Sequence, residues 1–148
     1  MWDSIIWLQS VLNAAARLIF SAQRTDSITP LLRELHWPRV PERIQFRLCI
    51  LVYRCLDGSA PLYLSERIRR TTNNSARLRL RSADTTMLHV PSSRHSTLGD
   101  RSFFVAALRA WNELPLTLRS VTSLTTFRRE LKTLLFRRSF GLNWLVKT

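Results

Sequence analysis

Two groups of basic side chains are the residues best suited to bind a ligand. The first group is six arginines within fifteen residues, and the second follows the last predicted helix. The members are Arg67, Arg69, Arg70, Arg77, Arg79, Arg81, Arg128, Arg129, Lys132, Arg137 and Arg138. A guanidinium offers paired donors that match phosphate oxygens and a flat face that stacks on bases. Both groups predict contacts with RNA or DNA through phosphates, with low sequence specificity. The alternative for each group is a solvated charged face.

The charge of the whole chain supports the same expectation. Lys and Arg number 23 against 10 Asp and Glu, so the net charge is +13. Only Lys132 and Lys147 are lysines, and every other basic residue is an arginine. Such a charge attracts polyanions and speeds their encounter with the protein. The competing interpretation is an Arg-rich protein, for example a mitochondrial one, whose charges are merely solvated.

The residue types that most enzymes need are poorly represented. No two acidic residues are adjacent, so the carboxylate cluster of a metal-dependent phosphoryl transferase is not indicated. The three glycines, Gly58, Gly99 and Gly141, form no phosphate-cradling run, and no zinc-ligand spacing occurs. A Ser/His/Asp triad stays open because its members meet only in space. We therefore expect no catalytic residue, no metal and no cofactor.

Composition predicts one packed domain over residues 1–148. Residues of hydrophobic type make up 45% of the chain, which is more than a disordered segment of this length carries. Cys49 and Cys55 fall on different faces of one predicted helix, which indicates reduced core cysteines and an intracellular protein, nuclear or cytoplasmic. Asp3 and Arg17 interrupt the apolar N-terminal segment, so no contact with a membrane is expected.

Apolar spacing predicts a mainly α fold with one short β-hairpin. The expected helices run from Ser4 to Ala22, Pro30 to His36, Pro41 to Leu56, Pro61 to Ile68, Ser102 to Asn112, over a turn at Leu116 to Leu118, and from Ser123 to Phe136. Residues 69–81 are predicted to be a basic loop. Met87 to Val90 is predicted to be a strand, pairing with Arg94 to Leu98.

The predicted helices differ in how much of their surface is apolar. In the first helix, one face collects Ile5, Leu8, Leu12, Ala15, Leu18 and Ala22. In the last helix Phe127, Leu131, Leu134 and Leu135 are expected to be core, facing the helix that contains Trp111. The Pro41 helix is apolar on most sides, so it could expose an apolar face and drive self-association. Trp37, Trp111, Phe103 and Phe104 could stack on bases, although their helical spacing favours core packing.

Several linked motifs carry a family resemblance. In order they are VLNAAARLI (Val11 to Ile19), ITPLLRELHW (Ile28 to Trp37), VPERIQFRLCILVYRCLDGSAPLYL (Val40 to Leu64), LRS (Leu80 to Ser82), VP (Val90 and Pro91), GDRSF (Gly99 to Phe103), WNELP (Trp111 to Pro115) and FRRELKTLLF (Phe127 to Phe136). Together they resemble the region downstream of the catalytic palm in reverse transcriptases of non-LTR retrotransposons, the LINE-type and jockey-like mobile elements. The resemblance covers about Gln9 to Phe136.

The resemblance implies a helical, thumb-side segment that helps to hold RNA template and DNA product. The family's polymerase aspartates lie in an upstream Asp-Asp box, and this chain has no such pair, so no catalytic residue carries over. The stretch His36 to Val40 departs from the family, which usually has Leu and then Pro after the Trp. The expected function is a non-catalytic nucleic-acid-binding remnant. The alternative is a domesticated or decayed fragment acting as an interaction or structural module.

Overall fold

The computed structural model describes residues 2–68, 87–91 and 102–141, and this part of the chain is mainly helical. Its seven helices are α1 (Trp2–Ile19), α2 (Ile28–Glu34), α3 (Val40–Leu56), α4 (Leu62–Ser65), α5 (Phe103–Asn112), α6 (Leu116–Arg119) and α7 (Leu124–Ser139). Every helix that the apolar spacing predicts is present, and the ends differ by a few residues. The α class expected from the sequence is therefore confirmed.

The predicted β-hairpin is not supported. None of the described residues belongs to a strand, and the expected partner segment, Arg94 to Leu98, lies outside the described residues. The backbone of Leu88 is bonded by the side chain of Asn112. The Leu88 N–H donates to Asn112 Oδ1 at 2.9 Å, and Asn112 Nδ2 donates to the Leu88 carbonyl at 2.9 Å. One amide thus bonds both backbone groups of Leu88.

The chain divides into two compact units. Unit 1 comprises Met1–Phe46 and Leu131–Thr148, and unit 2 comprises Arg47–Glu130. The boundaries fall inside α3 and α7, so both helices belong in part to each unit. Unit 1 is discontinuous in sequence, because it combines the N-terminal and C-terminal parts of the chain.

The helix ends show how local sequence sets the boundaries. Ser102, predicted to be the first residue of a helix, is the N-cap of α5: its hydroxyl accepts from the Val105 N–H at 3.4 Å. Gly58 follows α3 in the left-handed conformation, with φ +76°, and Ser59 N donates back to the Arg54 carbonyl at 3.0 Å. The Arg54 carbonyl also accepts from Ala60 N at 3.1 Å, and together these bonds close the last turn of the helix.

Two other helices end in the same way without a glycine. Ser21 has φ +50° after α1, and Ala22 N donates to the Arg17 carbonyl at 3.0 Å. His36 has φ +53° after α2, where Trp37 N donates to the Leu32 carbonyl at 2.9 Å. A side chain in this region clashes with its own backbone, so both helix ends carry a local cost that Gly58 avoids.

The core of unit 2 is built around three aromatic rings. The Phe127 ring stacks on Tyr53 at 4.6 Å between centroids and lies 5.6 Å from the Trp111 ring. All three are buried, together with Leu108 of α5. Phe127 and Trp111 therefore meet as predicted for the last helix and the Trp111 helix. Further along α7, in unit 1, Leu131 and Leu135 are buried as expected, while Leu134 is only half-buried.

Unit 1 has a smaller core, centred on Ala16, Leu32 and Phe140. The face predicted for α1 is only partly the one that it buries: Leu8 is 48% exposed and Leu18 is 82% exposed, whereas Leu12 of the predicted face packs inward beside Ala16, which is not part of that face. Apolar residues cover more than half of the circumference of α1, so spacings of three and four fit more than one face. Polar Gln9 also turns inward, and its Oε1 accepts from the Val40 N–H at 2.9 Å.

The apolar surface of α3 is largely covered, contrary to the expectation of an exposed face there. Among the large apolar residues of this helix, Ile44 alone is exposed, at 41%. The exposed apolar surface lies on α1 instead, where Trp7 is 66% exposed and Val11 is 49% exposed. The sequence indicates that apolar surface is in excess, but it does not reveal which helix leaves it uncovered.

Candidate nucleic-acid interface

Of the eleven basic residues predicted to bind, six lie in the described part of the chain. Arg67 follows α4, and the other five are on α7. All six are exposed: Arg67, Arg128, Arg129, Lys132, Arg137 and Arg138. The remaining five, Arg69, Arg70, Arg77, Arg79 and Arg81, lie outside the described residues, and so does the predicted basic loop that contains all of them.

The basic residues of α7 do not share one face. Arg128, Arg129 and Lys132 fall within an arc of about 100°, whereas Arg137 is roughly opposite Arg128. The reason is that buried residues recur every fourth position, from Phe127 to Ser139, so the buried stripe drifts around the helix. The first three basic residues can engage one partner surface together. Arg137 and Arg138 lie in the last turn, where a cation also complements the helix dipole.

Arg67 has a specific aromatic neighbour. Its guanidinium carbon lies 5.7 Å from the centre of the Phe104 ring, within the range of a cation–π contact. The Phe104 ring in turn meets Phe103 edge to face at 5.3 Å. Phe103 is 38% exposed and Phe104 is half-buried, while Trp111 is buried and Trp37 is half-buried. Of the four aromatics considered for stacking, Phe103 alone is exposed.

Two arginines that no sequence pattern pairs lie together in unit 1. Arg17 and Arg24 line an open depression of about 700 Å³ with Ser10 and Ser21. A guanidinium nitrogen of Arg17, Nη2, reaches the Asp26 carbonyl at 3.5 Å, which holds the side chain across the turn after α1. The backbone bend at Ser21 brings the pair together, and a positive φ at a serine leaves no signal in the sequence.

Other arginines have structural contacts that lower their value as ligand-binding groups. The Arg33 guanidinium lies over the Phe140 ring at 5.8 Å, and that of Arg43 lies over Trp37 at 5.8 Å. Arg43 Nε also donates to the Pro38 carbonyl at 3.2 Å, and Arg119 Nε donates to the Leu114 carbonyl at 3.0 Å. The arginine content is therefore partly structural, and net charge overstates the number of available phosphate contacts.

The titratable and metal-ligating side chains of the described residues are dispersed or buried. Within residues 2–68, 87–91 and 102–141, no three His, Cys, Asp or Glu side chains are placed to hold a metal ion. Cys49 and Cys55 are buried free thiols, in agreement with the prediction of core cysteines. Burial raises the pKa of the Cys55 thiol, which disfavours the reactive thiolate. Burial and, to a smaller extent, the charge of Asp57 raise the pKa of Tyr53.

A search for a membrane-spanning segment among the described helices found none of sufficient length and apolar character. Comparisons of the chain with protein-family models, with curated proteins and with solved structures found no match. The chemistry of the residues and the motif resemblance are therefore the grounds on which a function can be proposed.

Proposed function

We propose that this chain is a non-catalytic, nucleic-acid-binding remnant of a non-LTR retrotransposon reverse transcriptase. The binding part of the proposal rests on the exposure of the basic residues. Among the fifteen basic residues that the structure describes, twelve are exposed, and the other three are half-buried: Arg17, Arg54 and Arg119. The charge excess is thus at the surface, where phosphates can reach it. The order of motifs from Val11 to Phe136 supports the origin.

Binding of this kind is dominated by the release of counterions from the nucleic acid. Each phosphate neutralised by Arg or Lys contributes about −0.7 to −0.9 to the slope of log affinity against log salt concentration. Engagement of several arginines from the segment Arg67 to Arg81 gives a slope of roughly −3 to −6, with little preference between sequences. If the chain is instead an interaction module, any affinity for nucleic acid should be weak and should depend only on the net charge of the protein.

The test replaces Arg77, Arg79 and Arg81 together by Gln and measures affinity for a short RNA over a range of salt concentrations. We expect weaker binding and a flatter salt slope than for the wild-type protein. The matched control replaces Arg39, Arg47 and Arg109, which are exposed and lie outside both predicted groups, so that the lost charge is the same. An equal loss in both variants removes the special role of the segment. If neither variant binds less than wild type, nucleic-acid binding by these groups is wrong.

The non-catalytic part of the proposal is supported by the missing Asp-Asp pair and the scattered acidic residues. Polymerase chemistry requires carboxylates that hold the metal ions beside the primer end. Primer extension with the purified protein, Mg²⁺ and nucleotides should give no product above a buffer control. Extension that disappears on mutation of one acidic residue would contradict this.

The second candidate is self-association through α1, and the exposed side of that helix favours it. Trp7, Val11 and Leu18 lie within an arc of about 40°, and Leu8 and Ile19 extend the arc to about 120°. These five side chains are between 48% and 82% exposed. They form a patch of several hundred Å², somewhat below the roughly 800 Å² per partner of a typical stable interface. A second copy of the chain would therefore dimerise weakly.

Sedimentation of the wild-type protein over a range of concentrations tests this second candidate. We expect a dimer to appear with rising concentration and to be lost in Leu18→Lys, which places a charge at the most exposed residue of the patch. Leu62→Lys is the matched control because Leu62 is 72% exposed and lies in the other unit. A wild-type protein that stays monomeric at all concentrations contradicts self-association.

A further inference from the structure

A row of aromatic and guanidinium groups lies in unit 2, at the point where the predicted basic segment begins. Arg67 is the first arginine of that segment and lies over Phe104 at 5.7 Å, and Phe103 meets Phe104 at 5.3 Å. The contact with Phe104 holds the Arg67 guanidinium against the surface and does not consume its hydrogen-bond donors. Phe103 is the first residue of α5 and remains 38% exposed.

An exposed aromatic residue, Tyr63, precedes Arg67 in the chain. The helical turn continues beyond α4, because Glu66 N donates to the Leu62 carbonyl at 3.0 Å and Arg67 N donates to the Leu64 carbonyl at 3.3 Å. Arg67 therefore follows Tyr63 by about one turn. Leu64 is half-buried, whereas Tyr63 is 70% exposed. The Tyr63 ring contributes little to the free energy of folding, since most of its surface stays in water.

We infer that Tyr63, Arg67 and Phe103 form a platform on which unpaired bases of a single-stranded nucleic acid stack. The inference rests on the proposed nucleic-acid binding and deepens it, because it specifies single strands over duplexes. Exposed rings stack on any base, since every base has a π face, and a guanidinium can add both a cation–π contact and a phosphate contact. In a duplex each base already stacks on the neighbouring bases, so no base face is free to stack on the platform.

The two modes of binding differ in what they require of the ligand. Contacts to phosphates persist when the bases are removed, but stacking does not. A base stacked on an aromatic side chain contributes about 1–3 kcal/mol, so loss of one such contact lowers affinity at least about fivefold. That change is larger than the effect expected from a single exposed neutral side chain that contacts only water.

The experiment compares two single-stranded oligonucleotides of equal length, one of uridines and one with abasic sites in place of the bases. The wild-type protein should bind the uridine strand at least about fivefold more tightly than the abasic strand. Tyr63→Ala should remove most of that difference while affinity for the abasic strand stays unchanged. Tyr63→Phe keeps the ring and should preserve the difference.

The control is Leu62→Ala. Leu62 is 72% exposed, nearly the same as Tyr63 at 70%, but its side chain has no π face. It should leave both affinities unchanged, and equal melting temperatures for all three variants exclude an effect through folding. If the wild-type protein binds both strands equally, or Leu62→Ala and Tyr63→Ala behave alike, the platform is wrong and phosphate binding stands. If the wild-type protein binds neither strand, the proposed function itself is wrong.

Discussion

The two units differ in how well their apolar residues are buried. Of the described apolar residues that are buried, thirteen lie in unit 2 and six in unit 1. Of the large apolar residues that are exposed, seven lie in unit 1, and six of these are on α1. Unit 2 also has more of the charge, with fourteen basic and six acidic residues against nine and four in unit 1. The more basic unit is thus the better packed one.

This difference indicates how stability and binding are divided. Core burial is the main favourable contribution to folding, so unit 2 should resist unfolding more strongly than unit 1. Unit 2 can therefore carry the repulsion among its arginines, and those that the structure describes, such as Arg67 and Arg128, are exposed on a well-packed unit. Unit 1 has uncovered apolar surface on α1 and a small core, which makes it the less stable unit and the one with more to gain from a partner.

The sharpest test of the comparison removes a buried phenylalanine from each unit. Phe127 is fully buried between Tyr53 and Trp111, so Phe127→Ala should cost about 3–5 kcal/mol of unfolding free energy. Phe140 in unit 1 is 8% exposed, and Phe140→Ala should cost clearly less because fewer buried groups surround it. Denaturant unfolding measures both. Equal costs would contradict the difference in packing between the units.

A smaller effect is expected from the side-chain amides that bond the backbone in each unit. Asn112→Ala removes two bonds to Leu88 and leaves its N–H and carbonyl without those partners, which should cost about 1–3 kcal/mol. Gln9→Ala removes one bond to Val40 N and should cost about 1 kcal/mol. Thermal unfolding of both variants gives the comparison. A Gln9 variant that loses more than the Asn112 variant would reverse the order.

The smallest effect is expected at the helix ends, which have a positive φ at Ser21 in unit 1 and at Gly58 in unit 2. The substitutions at these two positions should change the stability in opposite directions. Ser21→Gly in unit 1 should raise stability by up to about 1 kcal/mol, because glycine adopts the positive φ of Ser21 without a clash. Gly58→Ala in unit 2 should lower stability by about the same amount, although a Cβ there meets no atom within 4 Å, since the cost lies in the backbone conformation. Changes of the same sign in both variants would show that the backbone at Ser21 is not strained.

The sequence predicts helices well here and their burial less well. Spacing of apolar residues locates α3, α5 and α7, because helix formation depends largely on local chemistry. Which face of α1 packs inward depends on contacts with residues far along the chain, and its broad apolar surface offers more than one face for packing. The β-hairpin predicted at Met87 to Val90 is not supported: none of the described residues belongs to a strand, and the Asn112 amide bonds the backbone of Leu88.

The candidate interface was predictable only as a set of charges. Arg67 and the α7 residues are exposed as expected, but the drift of the buried stripe that separates Arg137 from Arg128 appears only in the helix itself. The pair of Arg17 and Arg24 depends on a bend at Ser21, and the contact of Arg67 with Phe104 joins residues from separate helical segments. No local pattern indicates either contact, since each depends on how distant segments meet.

The discontinuity of unit 1 has a consequence for the order in which the protein folds during synthesis. Unit 2 occupies one continuous stretch, Arg47–Glu130, so its residues leave the ribosome together and can pack as soon as that stretch is complete. The first 46 residues must wait for Leu131 and the residues after it. At a synthesis rate of about 5–20 residues per second, that delay is on the order of 4–17 seconds. During this interval the apolar surface of α1 is available to chaperones or to other nascent chains.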